Sequence, residues 1–155
     1  MKKKALIHVL SSVPDAKEKN DSIEVVTPGN FYKKDRNYYA VYEETSISGM
    51  EGTTTTLKIG EKNFSLIRMG STSTKMDFAL NKKNMSMYST PYGTLEININ
   101  TKKLDINIDD NGGRIYIDYI MSVAGQKPQN TILNINISPE KNRYHIYLHN
   151  QYYPS

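Results

Sequence analysis

Apolar residues recur at every second position along most of this chain, and that period decides what it can fold into. Leu95, Ile97 and Ile99 alternate with Glu96, Asn98 and Asn100; after Thr101-Lys102-Lys103, Leu104, Ile106 and Ile108 alternate with Asp105, Asn107 and Asp109. Strand side chains point alternately to opposite faces, so a period of two makes a ribbon with one apolar and one wet face. The pattern returns at Ile115, Ile117 and Tyr119, at Leu133, Ile135 and Ile137, and at Tyr144, Ile146 and Leu148. In the first half, residues 5–12, 22–27, 30–34, 38–45, 54–59, 63–69, 74–80 and 84–89 read as strands bounded by turn residues. Asp110-Asn111-Gly112-Gly113 is a hairpin signal, because Asn and Gly accept positive φ. No segment carries a convincing helical period.

Short strands joined by short turns, each able to pair with its sequence neighbour, predict an all-β, up-and-down antiparallel barrel of about ten strands. The chain has 155 residues and no linker or low-complexity tract, so one domain over 1–155 is expected. A barrel of this size is either filled by side chains or holds one small ligand. Alternation alone does not separate those two states.

Composition narrows the function classes. There is no cysteine, which removes disulfides, thiolate metal sites and thiol nucleophiles and fits a reducing compartment. The apolar run from Ala5 to Leu10 is interrupted by His8 and reads as a first strand rather than a signal peptide. No run approaches the ~20 residues of a membrane helix. A cytoplasmic protein with no membrane partner is expected. The isoelectric point is about 9.1, yet the net charge is only +4, and Lys2, Lys3 and Lys4 supply most of it. The lysine pairs 33–34, 82–83 and 102–103 read as hairpin tips, where lysine keeps strand edges soluble. A nucleic-acid partner is not expected from such scattered charge.

Motifs for catalysis or metals do not survive their context. In NIDDNGGRIYID, Asn107, Asp109, Asn111, Gly112 and Asp118 fall at calcium-loop spacings, but such a loop needs flanking helices and strands flank this one. His145 and His149 would chelate zinc on a helix; on a strand they lie about 13 Å apart. Phosphate-binding glycine loops and nucleophile elbows are missing. Glu43 and Glu44 are adjacent, so on a strand they face opposite ways. No metal, no cofactor and no enzymatic activity are expected.

What remains is a polar set within apolar strands. Tyr38, Ala40, Tyr42 and Glu44 share one strand face; Phe64, Leu66 and Arg68 share another. If Phe64 and Leu66 point inward, so does Arg68, and a buried guanidinium needs a carboxylate, for which Glu44 (or Glu43) is the natural candidate. If Ile67 and Met69 point inward instead, Arg68 is a surface residue. Tyr88, Thr90 and Tyr92 of YSTPYG share a parity and join the candidate ligand-binding set of Tyr42, Glu44, Arg68, Tyr88, Thr90 and Tyr92. The cluster either orients a polar ligand or plugs the barrel as an ion pair with tyrosine hydroxyls.

With these residues in view, VYEET at 41–45, TTLKI at 55–59, LIRMG at 66–70, Phe78, YSTPYG at 88–93, Thr101 and GRIYIDY at 113–119 match a known group in order and spacing. The chain resembles the YwiB-like family of small bacterial β-barrels, over about residues 31–137. The resemblance implies a calycin-like barrel, similar to lipocalins and fatty-acid-binding proteins, and implies no activity. The lipocalin G-x-W has no counterpart, since the chain lacks tryptophan. The expected function is binding of a small polar or amphipathic ligand in the barrel interior. The alternative is an interaction or scaffold protein with a filled barrel, acting through exposed aromatics such as Tyr152 and Tyr153 or an unpaired edge strand. Oligomeric state is left open.

Overall fold

The structure, a computed structural model, describes residues 2–14 and 22–140. The readings of residues 144–149 and of Tyr152 and Tyr153 lie outside the described residues. Ten strands form in chain order: β1 (Lys3–Ser12), β2 (Ile23–Lys34), β3 (Asn37–Glu43), β4 (Thr53–Ile59) and β5 (Asn63–Gly70), then β6 (Thr74–Ala79), β7 (Lys83–Thr90), β8 (Gly93–Asp109), β9 (Gly112–Val123) and β10 (Gln129–Pro139). They make one antiparallel sheet in the order β6-β5-β4-β3-β2-β1-β10-β9-β8-β7. Each strand is therefore laddered to its sequence neighbour, and β1 joins β10, everywhere except between β6 and β7. The barrel's seam lies there, in mid-chain. It is closed by a bridge between Ser73 and Ser89, with N–H···O distances of 3.0 and 2.8 Å, and by Asn84 donating to the Asp77 carbonyl.

Two expected breaks are continuous strand, and each has a local cause. Lys102-Lys103 is no hairpin tip: it lies inside β8, where the ladder to β9 shifts register between Thr101 and Lys103. One inserted residue flips side-chain parity, so Ile97 and Ile99 before the bulge and Leu104 and Ile106 after it all turn to the interior. The run through Pro28-Gly29 likewise stays within β2. Pro28 pairs only with β1, because the β3 ladder begins at Asn30, and a proline is tolerated where one edge is open. The β8–β9 hairpin falls where the sequence places it. Asp109 Oδ1 accepts the Asn111 amide at 2.7 Å, and the positive φ falls on Gly112 at 81°.

The interior is built in rows of directly opposed residues. Tyr38, Ile59, Phe64 and Phe78 form one row across β3 to β6, and Ala40, Leu57, Leu66 and Met76 the next. Ile7, Ile99, Ile115, Ile117 and Ile135 close the opposite wall, all essentially inaccessible. β7 contributes least: its residues alternate between exposed and half-buried, and none is buried. At one end Phe31 stacks on Tyr38 at 5.4 Å, and the Tyr38 hydroxyl donates to Asp110 Oδ1 at 2.6 Å. Among the described residues no helix is long and apolar enough to cross a membrane.

Candidate functional site

The other end carries the polar groups. The row beyond Ala40, Leu57, Leu66 and Met76 is Tyr42, Thr55, Arg68 and Thr74, one residue from each of β3, β4, β5 and β6. Alternation of β5 buries Phe64 and Leu66, so Arg68 faces the interior, while Ile67 and Met69 turn outward. Glu44 follows β3 and is held by its own amide, which donates to the Thr53 carbonyl at 2.9 Å. Its side chain is 2% exposed and accepts a hydrogen bond from the Thr55 hydroxyl. Glu43 points the other way and accepts from Thr54 at 2.8 Å.

The Arg68–Glu44 pair is loose. Arg68 Nε stands 3.9 Å from Glu44 Oε2, and the arginine side chain is 22% exposed. That separation exceeds a charge-assisted hydrogen bond by about 1 Å. Arg68 Nε is buried and has no hydrogen-bond partner among the described residues; neither has the Thr74 hydroxyl directly opposite. Burial raises the Tyr42 phenol well above its ordinary pKa, the Glu44 carboxylate adds to the rise, and Arg68 opposes it. Tyr119, edge-on to Phe78 at 4.9 Å, is pushed up to about 12, again chiefly by burial.

A cavity of about 210 Å³ opens between these groups. Tyr42, Glu44, Arg68 and Tyr119 give it a polar side, and Val9, Val25, Leu66, Met76 and Leu133 an apolar one. Ser48 and Met50, from the loop between β3 and β4, and Ile23 stand at its mouth. The volume is below the ~300 Å³ at which pockets for drug-sized ligands begin. It equals the space of about seven waters at ~30 Å³ each.

Of the six candidate residues, Tyr42, Glu44 and Arg68 meet here. Tyr88 is half-buried and packs against the core from β7. Thr90 and Tyr92 lie in the β7–β8 turn, where the Thr90 hydroxyl donates to the Gly93 carbonyl at 2.9 Å and accepts the Tyr92 amide at 3.1 Å. Tyr92 is 99% exposed, so it neither closes the barrel nor lines the cavity. Pro91 and Tyr92 form the tip of a tight hairpin, and YSTPYG is read as turn chemistry. Thr55, Tyr119 and Thr131 belong to the site region without having been singled out. Inward parity marks each of them, but only the cross-strand pairings Tyr42–Thr55 and Tyr119–Thr131 show that they meet.

Two measurements follow from this geometry. Arg68→Met is expected to cost about 1–2 kcal/mol, short of the 3–5 kcal/mol of a broken tight buried pair. Glu44 keeps its Thr55 and Tyr42 contacts, and solvent reaches the arginine. Urea midpoints check this, and a loss near 4 kcal/mol would mark the pair as a structural plug. The second concerns pH. A phenol whose folded pKa is about 12, against about 10 when unfolded, keeps its proton in the folded state while the unfolded chain releases it. Stability is therefore whole below pH 10 and falls as pH rises toward 12, by about 2–3 kcal/mol from Tyr119. Tyr119→Phe should flatten that part of a urea-midpoint profile taken from pH 9 to 12.

The arrangement defines a class: a nearly closed ten-stranded antiparallel barrel with a small, polar-sided cavity at one end. The family model described as "Domain of unknown function (DUF1934)" matches residues 7–135, and the chain belongs to that family. It is 28% identical over 135 residues to the "Uncharacterized beta-barrel protein YwiB" of Bacillus subtilis (strain 168), covering 86% of this chain and 91% of that protein. The crystal structure of ywiB protein from Bacillus subtilis superposes with a TM-score of 0.77 at 23% identity, over 90% of this chain and 94% of that one. The resemblance and barrel expected from the sequence are thus met in family and fold.

Proposed function

We propose that this barrel binds a small polar or amphipathic molecule in its interior, as a binding protein rather than a catalyst. The observation that carries the reading is the buried Arg68 Nε, without a hydrogen-bond partner among the described residues, at the wall of a cavity of about 210 Å³. A buried polar donor without a partner costs free energy unless a ligand or water completes it. The apolar wall opposite gives a ligand's hydrocarbon portion a place to leave water.

A test is to fill the cavity without touching the polar groups. Val25→Phe adds volume at the apolar wall and should retain the fold. Solvent extracts of both proteins, purified from the native host, are then compared by mass spectrometry. A small molecule recovered with the wild type and missing with Val25→Phe is expected; identical extracts would overturn the reading. A second reading, action through the outer surface, is favoured by Met85 and Met87, 63% and 51% exposed on β7 beside the seam. It predicts self-association that Met87→Lys abolishes in light scattering.

A further inference from the structure

We infer that the head group recognised in the cavity is a monoanionic oxyanion, a short-chain carboxylate in the simplest case, with Arg68 as its binding residue and Glu44 as a fixed counter-charge. The inference rests on the proposed binding function and gives the ligand's chemical class. Its basis is the unequal state of the two charged groups. Glu44 is almost wholly buried and its carboxylate already has a partner: the Thr55 hydroxyl donates to it. Arg68 is the reverse. Its Nε is buried without a partner among the described residues, its only carboxylate neighbour there is 3.9 Å off, and part of its side chain remains accessible.

A guanidinium offers five donors in a planar fork that matches a carboxylate. The open capacity of this site is therefore donor capacity, and it calls for an acceptor. The Thr74 hydroxyl, directly across from Arg68 on β6, is likewise without a partner among the described residues. Charge sets the valence. Arg68 and Glu44 sum to zero, so a monoanion leaves a single net charge in the cavity, whereas a dianion would leave two beside a buried carboxylate. An ammonium would face the guanidinium's positive charge. Size sets the tail. With about 210 Å³ in all, and Val25, Leu66 and Leu133 facing the polar side, a carboxylate with a short hydrocarbon chain fits and a long fatty acid does not.

The test is calorimetric titration of the full chain with matched compounds: pentanoate, pentanamide, pentylamine, the amino acid norvaline and inorganic phosphate. Pentanoate should bind at least about ten-fold more tightly than pentanamide, as a charge-assisted pair requires, with the amine and phosphate weaker still. Arg68→Gln should erase the difference between pentanoate and pentanamide; Arg68→Lys serves if that variant does not fold, and should reduce it. Equal binding of pentanoate and pentanamide to the wild type would overturn the anion assignment while leaving the cavity reading in place. So would tighter binding of pentylamine or norvaline, which would make Glu44 a ligand-binding group. Phosphate binding more tightly than pentanoate would overturn the monoanion valence. Failure of every compound to bind would overturn the underlying binding function itself.

Discussion

Phe78→Ala is expected to destabilise the barrel by about 3–5 kcal/mol, the cost of removing a fully buried aromatic ring and leaving a cavity. Phe78 is 1% exposed, lies 5.9 Å from Phe64 and meets Tyr119 edge-to-face at 4.9 Å. Its position makes the loss hard to repair. Among the described residues β6 is laddered to β5 alone, and on its other side only a bridge and a few isolated hydrogen bonds tie the seam. Side-chain packing under the seam therefore holds the two ends of the sheet together, and Phe78 spans it to β9 through Tyr119. A urea titration gives the magnitude. Amide exchange gives the location, with β6 and β7 expected to lose protection before β1 and β10. A loss below about 1 kcal/mol would mean that the seam is held by something other than this packing.

Gly70→Ala is the second large effect, at about 3–5 kcal/mol from backbone strain and overlap together. Gly70 has φ +143°, and a Cβ there would stand 2.1 Å from the Gly52 carbonyl oxygen and 2.8 Å from Thr53 Cα. Both neighbours are backbone and cannot rotate away. The crowding also has a functional side. Gly52 precedes β4 and Thr53 opens it; Thr53 shares hydrogen bonds with Ser71 and Thr72, and its carbonyl holds the Glu44 amide. Pushing β4 off β5 at this point would carry Glu44 away from Arg68. The glycine that ends LIRMG is thus the residue that lets Arg68 and Glu44 share one cavity wall. Thermal unfolding of the variant checks the cost; an unchanged midpoint would contradict the close approach.

Much of this was legible beforehand, and the failures have specific causes. Strict alternation is a direct record of which side chains face inward, so β1, β4, β5 and β6 came through nearly residue for residue. The same record puts Arg68 on the face of Phe64 and Leu66 and Glu44 on the face of Ala40 and Tyr42, but it leaves open which faces turn inward; the structure shows that both do. Alternation could not show the pair's separation, since a distance of 3.9 Å depends on how Thr55 and the Glu44 amide hold the carboxylate. Lys102-Lys103 looked like a turn because a bulge and a hairpin both interrupt period-two alternation. Pro28-Gly29 looked like a turn because its tolerance depends on which edge of β2 is open, a property of the ladder rather than of the dipeptide. Tyr88, Thr90 and Tyr92 shared a parity on paper, but a two-residue tip at Pro91-Tyr92 ends the parity argument. The position of the seam, between β6 and β7, has no local signature in either strand.

The central claim is that the interior of this barrel is a binding site and not merely a core. Native mass spectrometry of the protein purified from its own host, before and after denaturation, tests it most directly. The account predicts an added mass on the order of 100 Da, the scale of a cavity holding about seven waters' volume, present on the folded protein and released on unfolding. A folded protein of bare polypeptide mass, unchanged on addition of small carboxylates, would contradict it.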